Sequence, residues 1–137
     1  MTPRRVLVTG MGIVSCLGND LETVARALHD GRPGIAAAPE FAAHGLASQV
    51  AGIPSLESLP AVKRPLRRFM SDPALYAYHA MTAALADAGL NEADISSERT
   101  ALVVGSGVGS TYETAEAVAL AKAQGARKVP PTWCRGS

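Results

Sequence analysis

Cysteine, long apolar runs and net charge are all scarce in this sequence, and each scarcity bears on a class of function. Only Cys16 and Cys134 occur, far apart in 137 residues. Neither a disulfide framework nor the close spacing of a zinc site is encoded, and two reduced thiols in a cytoplasmic protein are expected. No stretch approaches the roughly 20 apolar residues of a membrane span. The short run after Arg5 is broken by Gly10 and Gly12 before it reaches the length of a secretory signal. The formal net charge is only +1, so the global balance points to neither nucleic acid nor an anionic membrane as a partner. Any electrostatic partner has to be read from local clusters.

What is present is apolar. Hydrophobic residues make up 47% and charged residues 18%, the composition of a folded chain, and the length suits one ordinary domain with a single core. Residues 5–9 (RVLVT) form a short apolar run ending in glycine, which predicts a buried strand feeding a tight loop. Asn19 or Asp20 can cap a helix in which Leu21, Val24, Ala25 and Leu28 recur at helical spacing, and Gly31 with Pro33 ends it. Residues 32–71 are irregular, with one extended segment near 48–53. That is long for a loop, so a packed excursion or subdomain is expected.

Ser71 and Asp72 precede Pro73, the signature of a cap followed by proline at the first helical position. Ala74, Ala77, Tyr78, Met81, Ala84, Leu85 and Ala88 then trace one apolar face, while Leu75, Tyr76, Ala80 and Ala83 leave little polar surface opposite. The pattern predicts a buried helix closed by Gly89. Residues 101–104 (ALVV) repeat the buried-strand pattern, and Ser110 with Glu113 makes a capping-box pair for a third helix running to about Gln124. Strand, helix, excursion, helix, strand, helix is an α/β order, with too few strands to be a whole sheet.

Two glycine loops follow the predicted strands. The first, Gly10-Met-Gly-Ile-Val-Ser15, resembles half of a dinucleotide fingerprint. The second strand that a nicotinamide or flavin site needs is not where that motif requires it, since residues 31–39 show no β pattern, and the stretch from Gly12 to Leu21 is longer than a pyrophosphate turn. The second loop, Gly105-Ser-Gly-Val-Gly, leads into a helix N-terminus, where backbone N–H groups can hold an anion. It lacks the lysine of a P-loop and does not fit G-x-S-x-G. Its plain alternative is a turn that lets a strand pass close to its neighbours.

Several stretches, taken in order, carry a more specific signal. Residues 6–18 (VLVTGMGIVSCLG), residues 28–35 (LHDGRPGI, with Pro33 where serine is usual), residues 68–78 (RFMSDPALYAY), residues 84–90 (ALADAGL) and residues 103–110, ending VGSGVGS, resemble the β-ketoacyl-acyl-carrier-protein synthases, most closely the type I branch. The resemblance covers about residues 4–129 and implies an incomplete N-terminal half of a thiolase-type fold, with its layered αβαβα architecture. It implies a homodimeric cytoplasmic acyltransferase of fatty acid synthesis that needs no cofactor. In such an enzyme a cysteine takes the acyl group from acyl carrier protein, malonyl carrier protein loses CO₂ beside two histidines, and the carbanion attacks the thioester.

The same resemblance sorts the residues. Cys16 falls at a non-catalytic position, Cys134 matches nothing catalytic, and His29, His44 and His79 do not match the family's histidines, so no catalytic residue is assigned. His79 is expected to be a packed or hydrogen-bonded core histidine. Val108 matches a glycine-loop position that helps line and gate the acyl pocket, and the alternative is a loop residue turned into the core. Arg64 and Arg68, in the cluster Lys63, Arg64, Arg67 and Arg68, match basic positions that contact the acidic carrier protein. Pro65 replaces a third such position, and Arg127 matches another. The plain alternative for the cluster is a solvated face.

Residues 130–137 (PPTWCRGS) depart from the family. A one-base frame change across them permits Tyr-Met-Val-Pro, closer to the family's run, so a frameshift is expected; an artificial end is the rival. Two other readings stay open: a non-catalytic chain-length-factor-like subunit, and an NAD(P)-binding oxidoreductase built on the first glycine loop. The isolated chain is expected to leave apolar surface and a strand edge open, and so to aggregate.

Overall fold

A computed structural model of the chain describes residues 5–107 and 109–130. Helices dominate, and the contacts divide the chain into two compact units, one of residues 1–60 and 77–97 and the other of residues 61–76 and 98–137. Mixed helix and a small sheet give a partial α/β domain.

In the first unit the chain enters through residues 5–10 and turns tightly at Ser15 and Gly18, which exchange backbone bonds of 3.0 and 3.2 Å. Helix α1 (Leu21–His29) follows. Asp20 caps it by accepting the Thr23 N–H at 2.8 Å, so of the two cap candidates the acid is used. Asn19 instead donates from Nδ2 to the Ser55 carbonyl and the Ser58 hydroxyl, tying the start of the helix to a later turn. The Gly31 N–H donates to the Leu28 carbonyl and the Arg32 N–H to the Ala27 carbonyl, with Gly31 at φ +64°. This is a Schellman ending, which places glycine where an L side chain would be strained. Val24 and Ala27 are buried on the inner face of α1.

Residues 32–71 are not irregular throughout. Strand β1 (Ala36–Ala37) pairs antiparallel with β2 (Val50–Ala51), in register Ala36 with Ala51 and Ala37 with Val50. Helix α2 (Pro39–Ala43) forms the turn between them. The extended segment expected near 48–53 is therefore present, as one side of a two-residue hairpin whose partner carries no alternation to betray it. Helix α3 (Arg64–Arg67) closes the stretch.

Helix α4 (Asp72–Asp87) matches its prediction in extent. The Leu75 N–H donates to the Ser71 carbonyl at 2.9 Å, which makes Ser71 the cap and puts Pro73 in the first turn. The helix ends as α1 does: Gly89 at φ +68° donates to the Ala86 carbonyl, and the Leu90 N–H to the Leu85 carbonyl. Burial is narrower than the composition suggests. Leu75 and His79 are buried, whereas Thr82, Ala83 and Ala86 face solvent. Helix α5 (Glu92–Ile95) carries a full capping box between Asn91 and Asp94. In the second unit, α6 (Thr111–Gln124) starts where expected, with the Ser110 hydroxyl accepting the Glu113 N–H, and it packs against a 3₁₀ turn at Ala126–Lys128.

Both predicted buried strands are corrected by the structure. Residues 5–9 and 101–104 take no regular secondary structure, enter no sheet among the described residues and are exposed on consecutive residues, Val6 at 91% and Val103 at 92%. Their β-branched composition favours an extended backbone, but a strand also needs a neighbour, and none is supplied among the described residues. Val108, Cys134 and the tail from Pro131 lie outside the described residues.

Candidate functional site

The first glycine loop is built for packing. A Cβ on Gly12 would sit 1.9 Å from the Ala80 carbonyl oxygen, and one on Gly10 would sit 2.4 Å from that of Ala84. The loop lies backbone to backbone on the alanine face of α4, and the Met11 N–H donates to Asp87 Oδ2 at 2.9 Å. Its glycines are consumed by a helix contact. The next helix begins only at Leu21, with the carboxylate of Asp20 already at its N-terminus. An anionic pyrophosphate would meet that carboxylate, which disfavours the oxidoreductase reading. The second loop is the opposite case: a Cβ on Gly105 or Gly107 would meet nothing within 4 Å. The expectation of close neighbours there is not met. Past the loop, a shallow open groove runs along α6, lined by Thr111, Thr114, Ala115, Val118, Ala119 and Lys122.

Cys16 is half-buried and packs like a small apolar side chain. A Cβ on Gly34 would come within 2.6 Å of its Sγ, and one on Gly52 within 2.9 Å. The thiol thus fills the gap left by two glycines beside the β1–β2 hairpin. His79 is buried with its ring edge-on to Tyr78, centroids 5.5 Å apart, as a packed core histidine. His29 and His44 are exposed, and His29 pairs with its neighbour Asp30. Among the described residues the structure does not gather cysteine and histidine into one site.

The basic cluster is gathered. Proline in its first turn presets α3. The Arg67 N–H donates to the Lys63 carbonyl and the Arg68 N–H to that of Arg64, so these cations stand in two pairs one turn apart. Like charges at this spacing repel by about 0.2–0.5 kcal/mol per pair. All four are exposed, and among the described residues neither Lys63, Arg64 nor Arg68 is paired with a carboxylate. Arg68 lies over the Phe69 ring at 4.5 Å, a cation–π contact worth about 0.5–1 kcal/mol at an exposed position. Phe69 and Leu66, 55% and 45% exposed, set apolar surface among the charges.

Arg67 differs from the others. Its Nη1 donates to the Met70 carbonyl at 2.7 Å and its Nη2 to Asp72 Oδ1 at 3.4 Å. Treating the four cations as one cluster missed this, and an acid five residues downstream is the sole local sign of it. Arg127 is exposed in the 3₁₀ turn, in the same compact unit as α3.

With this geometry in hand, comparison with known proteins is direct. Residues 3–136 match the model of the beta-ketoacyl synthase N-terminal domain. Among curated relatives, 3-oxoacyl-[acyl-carrier-protein] synthase 1 of Haemophilus influenzae is 44% identical over 109 residues, covering 80% of this chain. Its Escherichia coli K12 counterpart is 38% identical over 130 residues, or 93% of the chain. A 3-oxoacyl-[acyl-carrier-protein] synthase 2 of Vibrio cholerae is 32% identical over 134 residues, or 96%. The chain spans 27% of the first relative's length and 32% of each of the other two. A match running from residue 3 to residue 136 means that this chain belongs to the beta-ketoacyl synthases, within their N-terminal domain.

Proposed function

We propose that this chain is the opening part of a cytoplasmic, homodimeric 3-oxoacyl-acyl-carrier-protein synthase with a thiolase-type fold, and that it contributes the surface on which the acidic carrier docks. The enzyme lengthens an acyl chain by decarboxylating Claisen condensation. The carrier's acyl group moves to a cysteine thiolate and frees the carrier thiol; malonyl carrier protein then loses CO₂, and the resulting carbanion attacks the acyl-enzyme thioester carbonyl and expels the cysteine thiolate. The thiol and the two imidazoles for those steps match no position in this sequence. The role proposed for these residues is recognition, with Arg64, Arg68 and Arg127 meeting the carrier and Val108 lining the acyl pocket.

One observation carries the docking role: exposed cations are held one turn apart against their mutual repulsion, with no described carboxylate on Lys63, Arg64 or Arg68 to offset it. Such a patch costs the fold a little and suits an anionic partner, whose approach it would speed in a salt-sensitive way. The relatives' names supply the partner, an acyl carrier protein. In a full-length synthase carrying this segment, the double variant R64E/R68E should raise KM for acyl carrier protein about tenfold at low salt and leave kcat nearly unchanged. An unchanged KM at low salt would sink the proposal.

A further inference from the structure

We infer that Arg67 is a positioning residue for the docking patch and makes no contact with the carrier itself; this rests on the carrier-docking reading above. The four cations differ in what they touch. Among the described residues Arg67 alone of the four has its guanidinium spread over two acceptors, the Met70 carbonyl and the Asp72 carboxylate, and both lie at the entry to α4. The bonds clip the end of a four-residue helix to the first residue of a sixteen-residue one.

A single turn of helix has almost no stability of its own, so the directions of Arg64 and Arg68 depend on what fixes α3 from outside. The clip does so at the last of its four residues, adjacent to Arg68. It also holds the chain on either side of Phe69, the ring over which the Arg68 guanidinium lies. A planar guanidinium can bridge two acceptors at once, whereas an ammonium offers the same charge without that fork.

Positioning and simple charge attraction predict opposite signs for one substitution. Asp72→Ala removes a negative charge beside the patch. If Arg67 were one more docking cation, that variant would bind the carrier more tightly; if Arg67 acts as a clip, it binds more weakly. The test immobilises the chain at low density, so that copies do not meet, and flows acyl carrier protein over it at several salt concentrations.

R67K and D72A should each weaken carrier binding about threefold, with the salt dependence kept, while R64E/R68E weakens it tenfold or more. Wild-type affinity in R67K, or tighter binding in D72A, overturns the inference while leaving the docking reading intact. Wild-type affinity in R64E/R68E overturns both. Hydrogen exchange at the Leu75 amide, bonded to the Ser71 carbonyl at the cap of α4, separates positioning from damage. Lost protection there in R67K would mean that Arg67 supports α4 instead of the patch, and that too overturns the inference.

Discussion

At the scale of single residues, two glycines with the same sequence context do opposite work. Gly12 lies where any Cβ would overlap the Ala80 carbonyl oxygen and the Ala84 nitrogen, both main-chain atoms that cannot swing aside. Gly105 faces open space, and its φ is not positive. Gly12→Ala should therefore destabilise the packing of the loop on α4 by at least about 2 kcal/mol, seen as lost hydrogen-exchange protection along that helix. Gly105→Ala should be neutral or slightly stabilising, because alanine restricts the unfolded chain. Equal effects of the two would contradict the packing geometry. The sequence could not tell these loops apart. Both are glycine-rich and both precede a helix, and the alanines that make Gly12 indispensable are far away in sequence, as the Met11 to Asp87 bond across 76 positions shows. The basic cluster was legible for the converse reason, since its members are neighbours. What could not be read was that one of them is already engaged.

At the scale of elements, what is decided within a few residues was legible and what needs a partner was not. The starts of α1, α4 and α6, and the glycine endings of α1 and α4, follow from side chains and φ values inside one turn. The Asp20 cap makes this testable. The Thr23 backbone N–H, followed by the Thr23 side chain, holds the Asp20 carboxyl below its ordinary value of 3.8. A carboxyl depressed by folding stabilises the folded state above its unfolded pKa, and that contribution disappears as pH falls through the lower folded value. Protection of the Thr23 amide should thus be steady from neutral pH down to about 4 and fall below it. Asp20→Asn, which still caps but does not titrate, should flatten that fall; Asp20→Ala should lower protection at every pH. A wild-type profile flat to pH 2 would show that the cap does not hold α1. The strands tell the other half. An apolar β-branched run favours an extended backbone, but whether it pairs depends on a neighbouring chain segment, and periodicity in one run carries no information about its neighbour.

At the scale of the whole molecule, those unpaired runs set how the isolated chain behaves. Val6, Leu7 and Val8, and again Leu102, Val103 and Val104, are exposed one after another, so neither run is covered on any side. Among the described residues neither run makes a backbone–backbone hydrogen bond, so N–H and C=O groups are open as well. That pairing of free ladder groups with apolar side chains on every side is typical of strands from the interior of a parallel sheet. Left uncovered, it is a template for association. Apolar burial among the described residues is correspondingly thin, with Val24, Ala27, Ala38 and Leu75 the apolar side chains that are buried. The isolated 137-residue chain should therefore associate as concentration rises and bind an environment-sensitive apolar dye. Val6→Lys with Val103→Lys should suppress both, because a charge on an open edge blocks pairing and neither side chain touches a core that the change could damage. Light scattering and dye fluorescence on the two proteins decide it: a wild-type chain that stays monomeric and dark at tens of micromolar would show that these runs are covered in solution, and the double-lysine variant would then have nothing to improve.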